Sequence, residues 1–347
     1  MATTIADVAR RAGVSTATVS RVLSGIGRAR PETHARVEAA ARELGFRPSD
    51  VARSLKRRST LTLGLIVTDI ENPYFPQLVR AVEDAASGEG YAILLCNADD
   101  DPEREASYLD FLVERRVDGL IIAASTIGMR QGEWLATASL PVVLINTAAT
   151  GDPQPTIVSD NRGGGSAAAR HLLDFGHRRF GYLMPPPRNL DAPERLAGVH
   201  DALDSAGLSW EGPGSALAIG HGAPTVTGGE SAMSELLERA PRPTAVIAYN
   251  DLMAIGAMRA IRTSGFRIPT DISLIGFDDV AFAAYVEPAL TTLRQETAEM
   301  GRWAVATVTE RIKAAGRDGS RPIATGGRRV VPVHLEIRAS TGPAPDS

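Results

Sequence analysis

The side chains best placed to do chemistry in this 347-residue sequence stand just behind short apolar runs. Asp69 to Phe75 follows Leu63-Gly64-Leu65-Ile66-Val67, Asn146 follows Val142-Val143-Leu144-Ile145, Asn250-Asp251 follows Ala248-Tyr249, and Asp278 follows Ile275-Gly276-Phe277. Carboxylates and amides of this kind hydrogen-bond adjacent hydroxyls, and the rings of Tyr74 and Phe75 suit the apolar faces of a sugar. The chemistry indicated is recognition of a polyhydroxyl small molecule. Taken singly, each residue is more often a cap or a turn; Asp251 is expected to cap a helix through Leu252-Met253-Ala254. Catalysis is not indicated, because no nucleophile, base and orienting residue stand out together, nor does a metal-ligand cluster. Gly163-Gly164-Gly165 lacks the GxGxxG spacing of a dinucleotide site and is better explained by close backbone packing. Cys96, the only cysteine, lies beside an apolar run and reads as a buried inert thiol, and His177 beside Arg178-Arg179 reads as a surface turn.

A second group lies at the N-terminus. Ile5, Val8 and Ala9 share one face of a short helix, and Val14, Val19, Val22 and Leu23 give a second helix a face to pack against it. Thr4 with Asp7 forms a capping box, Ser15 caps the second helix, and Gly13 sits where the turn between them requires a positive φ. This is the layout of a helix-turn-helix, with Thr16, Ala17, Ser20 and Arg21 left on the outer face toward bases or phosphates. Charge agrees: residues 1–58 hold twelve Lys or Arg against five Asp or Glu, net +7, whereas residues 59–347 hold twenty-five against thirty-six, net −11. A third helix opens at Pro31, carries Val37, Ala40, Ala41 and Leu44 at helical spacing, and ends at Gly45. Beyond it Ser49 could cap a helix of barely two turns through Leu55 and Lys56, too short to order without a partner or DNA.

Positioning the first group needs a different architecture. From Leu61 onward, apolar runs alternate with stretches of helical length: residues 63–67, 92–95, 119–122 and 142–145, then 180–183, 245–248 and 272–275. Runs apolar on both faces read as buried parallel strands, and two such series predict two doubly wound lobes whose strand carboxyl ends line a shared cleft.

With these motifs in place, the sequence resembles the LacI/GalR family of transcriptional regulators over essentially its whole length. The resemblance implies an N-terminal all-α helix-turn-helix headpiece with a hinge helix, and an α/β core of two doubly wound lobes, periplasmic-binding-protein-like of type I. The expected boundaries are 1–48 for the headpiece, 49–60 for hinge helix and linker, 61–340 for the ligand-binding and dimerisation core, and 341–347 for a flexible tail. Lobe one is expected at about 61–160 and 293–322, lobe two at about 161–292 and 323–340, with 289–293 as the last crossing. The resemblance places Thr16, Ala17 and Arg21 at base-reading positions, Arg21 suited to a bidentate contact with guanine and Ala17 limited to apolar contact with a thymine methyl. Arg30, where some relatives carry a serine cap, is expected at a phosphate. Leu55, beside Lys56, is expected to wedge into the minor groove when two hinge helices meet. With Thr4, Ser15 and Ser20 these residues complete the expected DNA-contacting set. In the core the resemblance supports Tyr74, Phe75, Asn146, Asn250 and Asp278 as effector contacts and adds Asn189, Asp191 and Arg195.

The function implied is a homodimeric repressor on a palindromic double-stranded DNA operator. A two-fold pair also follows from the small contact area of one headpiece. A sugar is the first choice of effector, a purine or nucleoside the rival, and control by a protein partner a third reading; no cofactor is expected. With no run of eighteen apolar residues and no apolar leader, a cytoplasmic location without membrane contact is expected. The C-terminal residues carry no leucine heptads that would join dimers.

Overall fold

The computed structural model describes residues 3–23, 29–46, 59–124, 134–135, 138–147, 154–189, 191–212, 214–318 and 327–345. The expected hinge helix, with Leu55 and Lys56, lies outside the described residues. Two compact units emerge, Met1–Thr62 and Leu63–Ser347.

Helices α1 (Ile5–Ala12), α2 (Thr16–Leu23) and α3 (Pro31–Glu43) form the first unit. Thr4 and Asp7 complete the capping box, Ser15 Oγ accepts from Thr18 N at 3.1 Å, and Gly13 takes φ +64° to end α1. Val8, Ala9, Ala12, Val19, Val22, Val37, Ala40 and Ala41 make the core. Ile5, expected in that core, is 36% exposed; Ala12, one turn on from Val8, takes the buried place instead. Arg36 on α3 donates to the Ala12 and Gly13 carbonyls, satisfying the end of α1 from across the unit.

The second unit is built on two sheets. In lobe one, β1 (Thr62–Val67), β2 (Ala92–Asn97), β3 (Gly119–Ala123), β4 (Val142–Ile145), β5 (Thr156–Ser159) and β11 (Arg328–Val331) lie in the order β11-β5-β4-β3-β1-β2. Helices α4 (Tyr74–Gly88) and α5 (Pro102–Glu114) belong to this lobe. In lobe two, β6 (Phe180–Met184), β7 (Leu217–His221), β8 (Ala245–Ala248) and β9 (Ser273–Ile275) lie in the order β7-β6-β8-β9 and pair in parallel. Helices α6 (Asn161–Asp174), α7 (Ala192–Ser205), α8 (Val226–Leu237) and α9 (Asp251–Thr263) belong to this lobe. An antiparallel pair, β10 (Thr292–Gln295) with β12 (Val333–Glu336), packs Leu293, Val333 and Leu335 onto the core of lobe two. The long α10 (Thr297–Asp318) returns to lobe one, burying Met300, Ala304, Val305 and Val308.

Several expectations differ from this arrangement. Residues 328–331, assigned to lobe two, form the edge strand of the lobe-one sheet, parallel to β5. Residues 293–295, assigned to lobe one, pair with β12 on lobe two, so the last two crossings fall at Glu296 and Pro332, each between a strand of one lobe and an element of the other. β2 is an edge strand with Leu95 exposed, not a strand buried on both faces. The C-terminal residues are packed rather than loose: Gly342 N donates to Ser273 Oγ, Thr341 Oγ1 meets His171 and Thr291, and Ala344 N donates to the Phe175 carbonyl. His177 is no surface turn. It is fully buried, with Nδ1 against Thr244 Oγ1 and Nε2 against Ser273 Oγ and the Gly342 carbonyl, and burial lowers its pKa. Cys96 is buried as expected.

The triple glycine has a packing role. A Cβ on Gly165 of α6 would stand 1.9 Å from the backbone oxygen of Arg195 on α7, and one on Gly198 would stand 1.9 Å from the oxygen of Arg162. Two backbones therefore touch where side chains would hold them apart, and this contact fixes the position of Arg195. Gly165→Ala is expected to destabilise the core by about 2 kcal/mol or more, whereas Gly88→Ala, whose Cβ meets nothing within 4 Å, leaves stability unchanged or slightly raised. Urea unfolding of both variants checks the contrast; equal effects contradict the close helix contact.

Candidate functional site

The carboxyl ends of β1, β2, β3 and β4 face those of β6, β8 and β9 across one cavity of about 100 Å³. All eight expected effector residues line it: Tyr74, Phe75 and Asn146 from lobe one, and Asn189, Asp191, Arg195, Asn250 and Asp278 from lobe two. Tyr74 and Phe75 open α4 and meet edge to face, ring centroids 5.2 Å apart. Asn146 and Asp278 both take positive φ, +47° and +121°, where the chain turns sharply at a strand end. Such conformations are sparsely populated and concentrate where a side chain must be aimed.

Arg195 is the centre of the lobe-two wall. It is 3% exposed, and its guanidinium donates to Asp191 Oδ2 at 2.6 Å, Asn161 Oδ1 at 2.9 Å and the Tyr249 carbonyl at 2.6 Å. The rings of Phe277 and Tyr249 lie 3.7 and 4.5 Å from it. Burial acts to lower its pKa, yet Asp191, Tyr249 and Asp278 leave it raised, so the charge persists. Asp191 also accepts from Tyr249 Oη at 2.7 Å, which locks the tyrosine in turn.

Asp278 stands 4.0 Å from the guanidinium and accepts from Gln295 Nε2 at 2.7 Å. Burial pushes its carboxyl up to about 7, against the opposing pull of Arg195 and Gln295. Gln295 reaches lobe one as well: its Oε1 accepts from Asn146 Nδ2 at 3.1 Å and from Ser159 Oγ. Asn146 Nδ2 lies 2.8 Å from Tyr74 Oη, and its Oδ1 accepts from Ser159 N at 2.9 Å. A continuous chain of hydrogen bonds thus runs from Asp278 on one lobe to Tyr74 on the other.

Asn250 holds the position that its neighbour was expected to hold. Its Oδ1 accepts from Met253 N, making Asn250 rather than Asp251 the cap of α9, while Nδ2 donates to the Pro224 carbonyl. Asp251 is the first helical residue, fully buried, and takes Val280 N and Thr292 Oγ1; burial raises its pKa well above the ordinary range.

Gln295, Tyr249, Asp100 and Arg188 line the cavity without having been singled out. Asp100 and Arg188 face each other across the lobes in a salt bridge. The signal was the same one that found the others, since Asp100 follows β2, Arg188 follows β6 and Gln295 ends β10.

On the headpiece, Ser15 just before α2 and Thr16, Ala17 and Arg21 on it are exposed, and Ser20 is half-buried. Arg21 Nε lies 3.3 Å from the Ala17 carbonyl. Thr4 and Ser15 have their hydroxyls engaged in helix caps, and Arg30 is an exposed N-cap residue without a side-chain cap bond.

The raised Asp278 pKa has a measurable sign. Between about pH 4, where an unfolded carboxyl titrates, and about pH 7, the folded chain holds a proton that the unfolded chain has lost. The stability contributed by that proton is complete at the acid end of the window and falls as pH rises through it. Asp278→Asn lacks this titration, so its melting temperature relative to the parent should improve from about pH 5 to about pH 8. A difference that stays constant across that range contradicts the buried carboxyl.

Residues 4–49 match the family model described as bacterial regulatory proteins, lacI family, and residues 60–328 match that of periplasmic binding proteins and the sugar binding domain of the LacI family. An HTH-type transcriptional repressor PurR from Mannheimia succiniciproducens is 36% identical over 319 residues, covering 92% of this chain and 94% of its own. A solved Lac repressor dimer bound to operator and the anti-inducer ONPF superposes with a TM-score of 0.86 at 28% identity, over 99% of this chain and 100% of the other. A LacI family regulator from Enterococcus faecium with bound ribose gives 0.70 at 31% identity, over 81% and 99%. These relatives are regulators of transcription, not enzymes, and both parts of the chain carry the matching architecture. The chain belongs to the LacI family of DNA-binding transcriptional regulators.

Proposed function

We propose that the chain is a homodimeric repressor of a two-fold symmetric operator, controlled by a monosaccharide held between the lobes of its core. The observation that carries this reading is the convergence of post-strand amides, carboxylates and the Tyr74–Phe75 ring pair on a single cavity. At about 10–15 Å³ per water-sized group, 100 Å³ suits one sugar ring rather than a longer saccharide. The ribose-bound relative favours the same class. A purine in the same cleft is the second reading, favoured by the relative named PurR.

Dimerisation has support in lobe two, where Phe282 and Tyr285, on and beside a short 3-10 turn (Ala281–Ala284), are 60% and 86% exposed. Two large aromatic side chains so close together on a surface mark an association face, and the similar Lac repressor is a dimer. On the headpiece, Arg21 reads a guanine from the major groove, Thr16 and Ala17 read beside it, and Arg30 with the other basic residues of 1–58 neutralises phosphates. Leu55 wedges into the minor groove beside Lys56.

Thermal stabilisation of the purified protein by neutral monosaccharides, compared with purine bases, tests the effector class; stabilisation by purines alone overturns the sugar. Operator affinity, measured by fluorescence anisotropy, should fall steeply with salt, by about 0.9 in log–log slope for each phosphate neutralised. Arg21→Ala should cost about 1–3 kcal/mol and relax specificity at one base position. A flat salt profile, or an Arg21 variant with unchanged preference, contradicts the proposed interface.

A further inference from the structure

Among the described residues four aspartates and two arginines line the cleft, and each arginine already faces a carboxylate. Arg195 faces the Asp191 and Asp278 carboxylates and bonds Asn161 and the Tyr249 carbonyl between two aromatic rings, and Arg188 is paired with Asp100. A helix start is the other ordinary source of positive potential for an anion. Among the described residues three helices begin at this cleft, and at each some of the leading N–H groups are consumed or absent. At α4, Pro73 and Pro76 carry no N–H, Tyr74 N is taken by Asn72 Oδ1, and Phe75 N by the Asn72 carbonyl. At α7, Ala192 N is taken by the Asn189 carbonyl, Pro193 has no N–H, and the acidic Glu194 follows. At α9, Asp251 N goes to the Phe277 carbonyl and Met253 N to the Asn250 side chain.

One buried acceptor is in the opposite state. Asn189 Oδ1 is buried without a hydrogen-bond partner. An unsatisfied acceptor of this kind is unfavourable until a donor arrives. Carboxylates outnumber guanidiniums among the described lining residues, so an anion entering the cleft meets net repulsion.

We propose that the cleft selects an uncharged ligand rich in hydroxyl donors and rejects phosphate esters and carboxylates of the same sugars, because its carboxylates outnumber its guanidiniums, each guanidinium already faces a carboxylate, and a buried acceptor awaits a donor. The inference rests on the reading of the cleft as a sugar receptor and narrows it to unphosphorylated sugars.

Isothermal titration of the full-length protein with D-ribose and D-galactose, each beside its phosphate ester, tests the selection. The expected result is that a neutral sugar binds and its phosphate ester binds at least about tenfold more weakly. A phosphate ester that binds as tightly or more tightly overturns the selection and leaves the sugar-receptor reading standing. Binding of purine bases with none of either sugar form overturns both. In Asp100→Asn, Arg188 loses its counter-ion, and the discrimination against the phosphate ester should narrow severalfold; unchanged discrimination contradicts the assigned neutralisation of Arg188.

Discussion

The arrangement of the cleft depends on one buried charge. Taking a guanidinium out of water costs several kcal/mol, and the cost is offset only where hydrogen bonds and a counter-charge are supplied with good geometry. Arg195 obtains them from four elements of lobe two: Asp191 before α7, Asn161 at the start of α6, the backbone after β8, and the Phe277 ring after β9. Each supplier is thereby held in place. The bare backbone contact at Gly165 and Gly198 brings α6 and α7 close enough for this to happen, so a helix packing requirement and a binding-site requirement are met by the same residues. Removing the charge would strand Asp191, and with it the tyrosine that Asp191 orients.

Gln295 links lobe one to this centre. Gln295 sits at the end of β10, next to a crossing between lobes, with one amide end on Asp278 and the other on Asn146 and Ser159. Any ligand that competes for Asp278 or Asn146 also acts on a link that spans the lobes. This gives the core a physical means of converting occupancy into a change of lobe orientation, since a ligand shifts an equilibrium only through groups whose contacts differ between the two states.

Much of this was legible in the sequence because strand ends are easy to find. Apolar runs bounded by Asp or Asn mark parallel strands and their polar carboxyl ends, which is why Tyr74, Asn146, Asn250 and Asp278 could be named before any coordinates. Applying the same rule to β2, β6 and β10 would have added Asp100, Arg188 and Gln295. Other features left no local signal. His177 is polar and beside two arginines, yet it is buried by the C-terminal residues packing back over it, a contact set by residues 165 positions away. The split of the crossing segments between lobes depends on pairing partners, β5 for β11 and β12 for β10, which periodicity does not specify. Asn250 displaced Asp251 as the cap of α9 because Asp251 is needed inside, between Val280 and Thr292.

The two units make sense together only if the cleft and the DNA-reading face act on one another. Linkage requires that whatever the cleft ligand does to operator affinity, the operator does equally to ligand affinity. The most direct measurement is fluorescence anisotropy of full-length protein on its operator, repeated with a sugar shown by calorimetry to occupy the cleft. The account predicts a change in operator affinity of about five- to one-hundred-fold, abolished in Arg195→Ala. An operator affinity that stays the same while the cleft is filled would contradict it.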